Sequence, residues 1–318
     1  MRIAILLTGL LTRKLVDVRK SSGAQGVHQY NAMFEQYNKI KQHIPFKILL
    51  NEFFRFDLTA FHIINAYKKH DVCVFIVVSD TYVDNIYSNI IRDKLFYEDR
   101  FKNKLKGFLV IKDDNKHLKN PSFFYQFNKL KLCFDMASKY MSDNNTNFDM
   151  FIRHRTDGIT IHDNIYNTCL FNYNKSQLIH PIIPDKKICI KKIFDDMYIT
   201  NDFRLPNVIK NTIYVPGVNK KRILNNKMIL QKFTYPNKID LNDFYEKYKK
   251  CTLEYLFDHF AIGDYESMKI YCDVINNLRD PDPKYIKNGT INEMQLLRHL
   301  KHNNVNITRV MEWMHVHY

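Results

Sequence analysis

Residues 148–153 alternate in character: Phe148, Met150 and Ile152 are separated by Asp149, Phe151 and Arg153. That is the period of a β-strand. Phe151 makes the second face apolar as well, which places the strand inside a sheet covered on both sides. Residues 71–80 form a continuous β-branched run ending in Ser79 and Asp80, the pattern of an inner parallel strand. Residues 3–7 predict a short core strand ended by Thr8 and Gly9, and residues 107–111 predict another. Asn120 and Pro121 then open a helix, as cap and first position. Its apolar stripe runs through Phe123, Phe127, Leu130, Phe134, Ala137 and Met141 at steps of four and three. Strand, helix, strand in that order fits a right-handed βαβ crossover. Further on, a short apolar run closed by Gly263 precedes a helix capped by Asp264, with Glu266 in its first turn. Met268, Tyr271 or Cys272, and Ile275 give that helix its apolar face. A last helix over 291–301 carries Met294, Leu297 and Leu300, and a short strand follows it. Residues 178–183 are strand-like. Residues 201–250 show no clear period.

These elements predict an α/β fold, a Rossmann-type mixed, mostly parallel sheet flanked by helices in a single domain. At 318 residues the chain is long enough for one large α/β domain. The prediction divides it into a main domain over 1–280 and a C-terminal helical extension over 281–318 packed on it. Eight glycines and nine prolines leave little room for long flexible linkers. The formal net charge of +15 attracts polyanions, acidic membrane surfaces and phosphorylated substrates without choosing among them. Six widely spaced cysteines, none in a CxxC pair, read as reduced core thiols of a cytoplasmic protein. The apolar N-terminal run is broken by Thr8 and Gly9 and followed by Arg13 and Lys14. It reads as a core strand rather than a signal peptide, and no apolar run is long enough to span a bilayer.

The candidate chemistry collects where predicted strands end. Arg153 and Arg155 stand two apart and share a strand face, and Asp157 shares it if the strand continues. Two guanidinium groups and a carboxylate at the end of an inner strand need partners. Either a diphosphate with a metal ion satisfies them, or an internal Arg–Asp salt bridge does. Thr8 and Gly9, with Arg13 beyond, form either a phosphate-facing loop or the plain end of a core strand. Asp80 lies at a carboxyl strand end, where open α/β sheets bind ligands. It either holds a base or ribose or caps the next helix. Gln126 and Lys129 lie off the centre of the helical stripe. Residues 19–28, polar and carrying Gly23 and Gly26, form either a ligand-covering loop or an ordinary surface loop. His299, His302, His315 and His317 lack metal-ligand spacing and read as surface residues.

Taken in order, several of these pieces resemble GT-A-like glycosyltransferases of surface-polysaccharide gene clusters and large viruses. The carrying residues are Leu7, Thr8, Gly9 and Arg13; Asp71, Val72, Phe75 and Ile76; Tyr125, Gln126 and Lys129. They continue with Phe148, Asp149, Arg153, Arg155 and Asp157; Asp258, Phe260, Ala261, Gly263 and Met268; and Glu293 with Leu296. The resemblance implies a GT-A-like sheet and transfer of a sugar from a nucleoside-diphosphate sugar to a glycan, glycoprotein or other hydroxyl acceptor in polysaccharide biosynthesis. Location would be the cytoplasm, a host's if the protein is viral. It implies that Thr8, Gly9, Arg13, Gln126, Lys129, Arg153 and Arg155 serve the donor, joined by Asp80 if its strand-end position is used for the ligand, and that Asp157 holds Mn²⁺ or Mg²⁺. Arg155 stands where the family's Asp-x-Asp motif has its first carboxylate, so the two arginines alternatively neutralise the diphosphate themselves. Asp258 is then the base of an inverting transfer, with its alternative a helix or turn cap, and His259 is an alternative base or a further metal ligand. Two other classes compete. One is a basic nucleic-acid-binding protein, for which no helix-turn-helix, zinc-finger or RNP pattern is present. The other is a catalytically inactive relative that only binds glycans.

Overall fold

The computed structural model describes residues 1–9, 11, 54–80, 85–112, 121–156, 158–162, 205–217, 256, 258–279, 292–310 and 313–317. The elements are β1 (Arg2–Gly9), α1 (Phe54–Ala66), β2 (Asp71–Ser79), α2 (Asn85–Arg92), α3 (Lys94–Phe101) and β3 (Leu105–Ile111). There follow α4 (Pro121–Asp143), β4 (Met150–Arg155), β5 (Gly158–His162), β6 (Thr212–Pro216) and β7 (Ala261–Gly263). The chain continues through α5 (Tyr265–Arg279), α6 (Asn292–His302), β8 (Asn306–Val310) and β9 (Trp313–His317).

Seven strands form one sheet in the order β3-β2-β1-β4-β7-β6-β8, and β5 pairs with β9 in a separate two-stranded ribbon. Pairing is parallel from β3 through β4 and between β6 and β8. Only β7 runs against its neighbours. The expected class, a mixed and mostly parallel α/β sheet flanked by helices, is therefore the fold of the chain.

Alternation within each strand feeds two cores. On one face Ile3, Ile5, Leu7, Val74, Ile76, Met150 and Ile152 pack with Phe56, Ile63, Tyr67, Phe96, Tyr97 and Trp313. On the other, Leu6, Phe75, Val77 and Phe151 pack with Phe127, Leu130 and Phe134 of α4, Met268 and Tyr271 of α5, and Leu297 of α6. Each fully buried aliphatic side chain contributes roughly 1.5–3 kcal/mol relative to exposure. Against that background a cation within an inner strand, such as Arg153, is the exception that calls for an explanation.

Both predicted helix starts are present. Pro121 is the first residue of α4, and the side chain of Asp264 accepts the backbone N–H of Ser267 at 2.7 Å to cap α5. The segment after residue 281 contributes α6, the edge strand β8 and the ribbon strand β9. Strand β6 leaves no mark in the period of residues 201–250, yet all five of its residues are buried. His299, expected at the surface, is 5 % exposed and bonds the carbonyl of Ile270 through Nε2 at 2.7 Å, because α6 turns it inward onto α5. The strand-like run 178–183 and the loop 19–28 lie outside the described residues.

Candidate functional site

The chain leaves β1 toward β2 and β3 and returns to β4 on the opposite side of β1. Such a reversal opens a crevice at the carboxyl ends of the strands, where open α/β sheets bind ligands. Here the crevice is bounded by the ends of β1 and β4. Thr8 pairs with Arg155 in register, and the N–H of Thr156 donates to the carbonyl of Thr8 at 3.1 Å. Gly9 follows with φ 153°, and a Cβ placed there would stand 2.2 Å from Oγ1 of Thr156. Glycine is needed at this position because the two strand ends nearly touch. From α1, Thr59 donates its hydroxyl to the carbonyl of Thr156 at 3.2 Å and fixes the turn.

Antiparallel β7 brings in a distant stretch. Arg153 pairs with Ala261, so the residues preceding β7 run alongside the end of β4. The rings of His154 and Phe260 meet at 4.8 Å, and His259 reaches Arg155, with 3.3 Å between Nδ1 and Nη1. Had β7 been parallel, Asp258 and His259 would lie at the opposite edge of the sheet.

Arg153 is completely buried. Its guanidinium lies 5.1 Å from the ring centre of Phe127 and 5.7 Å from that of Tyr271, which favours the cation through the ring quadrupoles. Nη1 donates to the Tyr271 hydroxyl at 2.7 Å. Nε and Nη2 have no hydrogen-bond partner among the described residues. Tyr271 in turn approaches the carbonyl of Asp258 at 3.5 Å, and burial pushes its phenol well above the usual range.

Asp258 is 3 % exposed. Oδ2 accepts from Nε2 of Gln126 at 2.6 Å. Oδ1 makes no hydrogen bond among the described residues, although Nδ1 of His259 stands 3.1 Å away. Burial alone would raise the Asp258 pKa. Charge from His259, Arg153 and Arg155, with the Gln126 hydrogen bond, outweighs burial and holds it below the ordinary carboxylate value. The result is an ionised carboxylate, nearly sealed from water, facing two guanidinium groups and an imidazole. His259 keeps more contact with solvent, at 23 % of its side chain.

The other predicted residues fall around this cluster or apart from it. Arg153 and Arg155 share a strand face, the one covered by α4 and α5. Gln126 belongs to the cluster through Asp258. Lys129 is 4 % exposed and donates to the hydroxyl of Ser79 at the end of β2. Asp80 is tied to α2, accepting from Ser88 at 2.6 Å and pairing with Arg92 at 2.7 Å; its Oδ1 is buried without a hydrogen-bond partner among the described residues. Strand β4 ends at Arg155, and Thr156 turns. Asp157 and Arg13 lie outside the described residues. Among the described residues no three His, Cys, Asp or Glu side chains converge as a metal cage. Pairing of β5 with β9 places His317 opposite Gly158 and His315 opposite Thr160, so the ribbon register carries His317 to the residue that follows Asp157.

Two contributors escape the sequence reading. Tyr271 reads there as one more apolar position of α5, and Phe127 as one more of α4. The available signal is chemical: a hydroxyl-bearing aromatic on a buried helical stripe needs a polar partner, and a buried arginine needs one too.

His154 projects to the other face of the sheet. Its Nε2 lies 2.8 Å from the Tyr67 hydroxyl, and its ring lies 5.9 Å from that of His62. Complete burial, with His62 beside it, drives its pKa well below the ordinary histidine value.

No family model matches the chain, and no curated protein matches it in sequence. Among solved structures it is similar to a protein of Desulfovibrio desulfuricans G20 described as a "putative nucleotide-diphospho-sugar transferase". The TM-score is 0.34 at 7 % identity, over 97 % of this chain and 79 % of that one. Similarity of that degree adds nothing to what the strand order already establishes. Among the described residues no helix is long and apolar enough to cross a membrane.

Proposed function

We propose that the chain is a glycosyltransferase that takes its sugar from a nucleoside-diphosphate donor and passes it to a hydroxyl acceptor. The observation that supports this most is the placement of Arg153, Arg155 and the ionised Asp258 together at the reversal point of the sheet. Such a crevice with a cationic rim suits a diphosphate, and a lone carboxylate beside it suits the removal of a hydroxyl proton.

In this reading Gly9 lets the end of β1 approach the donor, and Arg155 contacts the diphosphate. Arg153, fully buried, adds its field from below and holds Asp258 ionised. The bond from the anomeric carbon to the diphosphate oxygen breaks, and its electron pair leaves with the diphosphate. The acceptor oxygen attacks the anomeric carbon, and its proton passes to the Asp258–His259 pair. Attack from the face opposite the leaving group gives inversion. Asp157 is the residue proposed for Mn²⁺ or Mg²⁺, and a bound divalent ion would neutralise charge on the leaving diphosphate. Arg153 and Arg155 would share that neutralisation with it, or supply it themselves.

A thermal-shift panel of UDP-, GDP-, CMP- and dTDP-sugars, each with and without Mn²⁺, tests the proposal. One nucleotide class should raise Tm, and Arg155→Ala should abolish the rise. If no sugar nucleotide shifts Tm while generic RNA does so in a salt-sensitive way, the transferase reading is refuted in favour of a nucleic-acid-binding protein. Asp157→Ala with an unchanged response to Mn²⁺ would remove that residue from any metal site.

A further inference from the structure

Strand direction gathers a second surface at the edge of the sheet opposite the crevice. β1, β2, β3 and β4 run parallel, β7 opposes both β4 and β6, and β8 runs with β6. The segments that lead into β1, β2, β3, β4, β6 and β8 therefore share that edge. The start of β1 is tied on one side to β2, where the Asp71 N–H donates to the Met1 carbonyl at 3.0 Å. On the other side it is tied to β4, where the Asp149 N–H donates to the Arg2 carbonyl at 2.9 Å. Before β6, the amide of Asn211 donates to the carbonyl of Asn304 before β8 at 2.8 Å. With strands about 4.8 Å apart, the edge is roughly 30 Å wide.

Charge there is lopsided. Lys68 and Lys69 lead into β2, and Lys102, Lys104 and Lys106 lead into and begin the neighbouring β3. Neither 67–70 nor 100–112 contains an Asp or Glu. Lys210 and Lys301 lie in the approaches to β6 and β8. Lys104 is half-buried and the other six are exposed. Among the described residues none of these lysines has an ion-pair partner. The carboxylates of the same edge are engaged within the chain. Asp71 pairs with Arg2 at 2.7 Å and Asp143 with Lys139 at 2.9 Å. Asp149 accepts the Arg2 N–H at 2.7 Å, and Asp264 caps α5. Of the three large apolar side chains exposed among the described residues, two stand here: Met1 at 56 % and Ile209 at 65 %.

We infer that this edge docks the protein on a bilayer rich in anionic lipid, with the lysines against the headgroups and Met1 and Ile209 at the acyl boundary. A nucleic acid is gripped differently, by guanidinium forks on phosphates and aromatic faces under bases. At this edge Arg2 is held by Asp71, and Arg100 is buried with its guanidinium over the Phe96 ring. No aromatic side chain among the described ones is exposed. Ammonium groups interspersed with aliphatic tips suit instead a charged layer over hydrocarbon. Docking of this kind is independent of what the crevice binds. The crevice lies one strand length away, about 25 Å from the surface, and stays open to solvent.

The test is co-sedimentation of the full chain with vesicles of phosphatidylcholine, alone or with about one third phosphatidylserine. Only the serine-containing vesicles should bind at low salt, and added salt should weaken binding. Lys68→Gln with Lys69→Gln, or Lys102→Gln with Lys106→Gln, should each weaken it about 25-fold, near fivefold per lysine. Lys94→Gln with Lys112→Gln removes the same net charge from exposed positions off this edge and should weaken binding about twofold at most. Ile209→Ser should weaken it severalfold at low and high salt alike, which loss of charge would not do. Every substituted side chain is exposed, and an unchanged urea unfolding curve keeps the variants comparable. Equal losses in the edge pairs and the control pair would reduce the effect to the overall charge of +15 and overturn the docking surface. Absence of binding to serine-containing vesicles overturns it too. If single-stranded RNA then binds and the same edge pairs abolish that binding, the edge belongs to a nucleic acid.

Discussion

Replacing Arg153 with methionine separates a structural arginine from a functional one. Methionine fills most of the same volume and keeps the contacts with Phe127 and Tyr271, but removes the charge. If Arg153 served as half of a structural ion pair, deleting it would cost about 3–5 kcal/mol, because Asp258 would be stranded. The geometry argues for a smaller effect. Nε and Nη2 are buried without hydrogen bonds among the described residues, and each costs about 1–3 kcal/mol in that state. Removing both relieves roughly 2–6 kcal/mol. Against this stand the charge-assisted bond to Tyr271, worth about 1.5–3 kcal/mol, and the attraction to Asp258. Asp258 is not stranded, since Gln126, His259 and Arg155 remain around it. The opposing contributions are of similar size, so the net change should lie within about 1 kcal/mol of zero. Unfolding entropy is about 2.1 cal/mol/K per residue, and over 318 residues about 1 kcal/mol corresponds to about 1.5 °C. Arg153→Met should therefore move Tm by less than about 2 °C in calorimetry, while pyrophosphate binding weakens about tenfold from the loss of roughly 1.4 kcal/mol of charge interaction. A Tm fall of more than about 5 °C with anion binding intact would make Arg153 a structural cation and overturn this account.

Removing the other partner should behave differently. Asp258→Asn leaves the buried Arg153 facing no anion among the described residues and should cost about 3–5 kcal/mol, measured by urea unfolding; a cost under about 1 kcal/mol would show that Arg153 does not depend on it. Gly9→Ala should cost about 3 kcal/mol, combining backbone strain at φ 153° with the clash against Thr156, and Thr156→Ala in the same chain should recover part of that, read as a non-additive double-mutant cycle. Among the described residues acid acts through several groups, of which His154 and Asp258 are the most deeply buried; burial also lowers the pKa of His299 and, less enclosed, of His70. The unfolded chain protonates His154 near pH 6.5, whereas the folded chain resists it well below that value. Stability from this site is thus complete above about pH 6.5 and falls as pH drops below it. Asp258 adds a second loss beginning below about pH 4, where the unfolded carboxylate takes up its proton. His154→Phe should flatten the Tm–pH slope between about pH 6.5 and 5; an unchanged slope would assign the acid sensitivity elsewhere.

What can be read from the sequence follows from how local the cause of each element is. β2 is legible because burial on both faces leaves apolar residues at nearly every position, and β4 because Phe148, Met150 and Ile152 alternate through its start; neither mark needs a partner to be seen. The start of α4 at Pro121 and the Asp264 cap are legible because a missing N–H and a side-chain acceptor act within one turn. β6 is not. Its five residues, Thr212, Ile213, Tyr214, Val215 and Pro216, are β-branched or aromatic up to the closing proline, but the run is short and lies in a polar, lysine-rich stretch. What makes it a strand is pairing with β7 and β8, a cause that lies elsewhere in the chain.

The site follows the same division. That Arg153 and Arg155 share a face is a two-residue fact and is readable. That they face Asp258 depends on β7 running antiparallel, and nothing in residues 258–263 states a direction. Direction comes instead from the whole sheet. β7 fills the space between β4 and β6, and its three residues, Ala261, Ile262 and Gly263, fit there because Gly263 leaves room for Ile213 and Ser267, which a Cβ would meet at 2.6 and 2.7 Å. The tight fit at Gly263 and the assembly of charges at Asp258 are thus two ends of one short strand. A substitution that shifts β7 by filling Gly263 should disturb the site as well as the core. Gly263→Ala is accordingly expected to lower stability and to detach His259 from Arg155 together, whereas a cavity made on α6, as in Leu300→Ala, should lower stability alone. Equal loss of stability in the two variants with the His259 nitrogen signals unchanged in both would show that the site is positioned by something other than this strand.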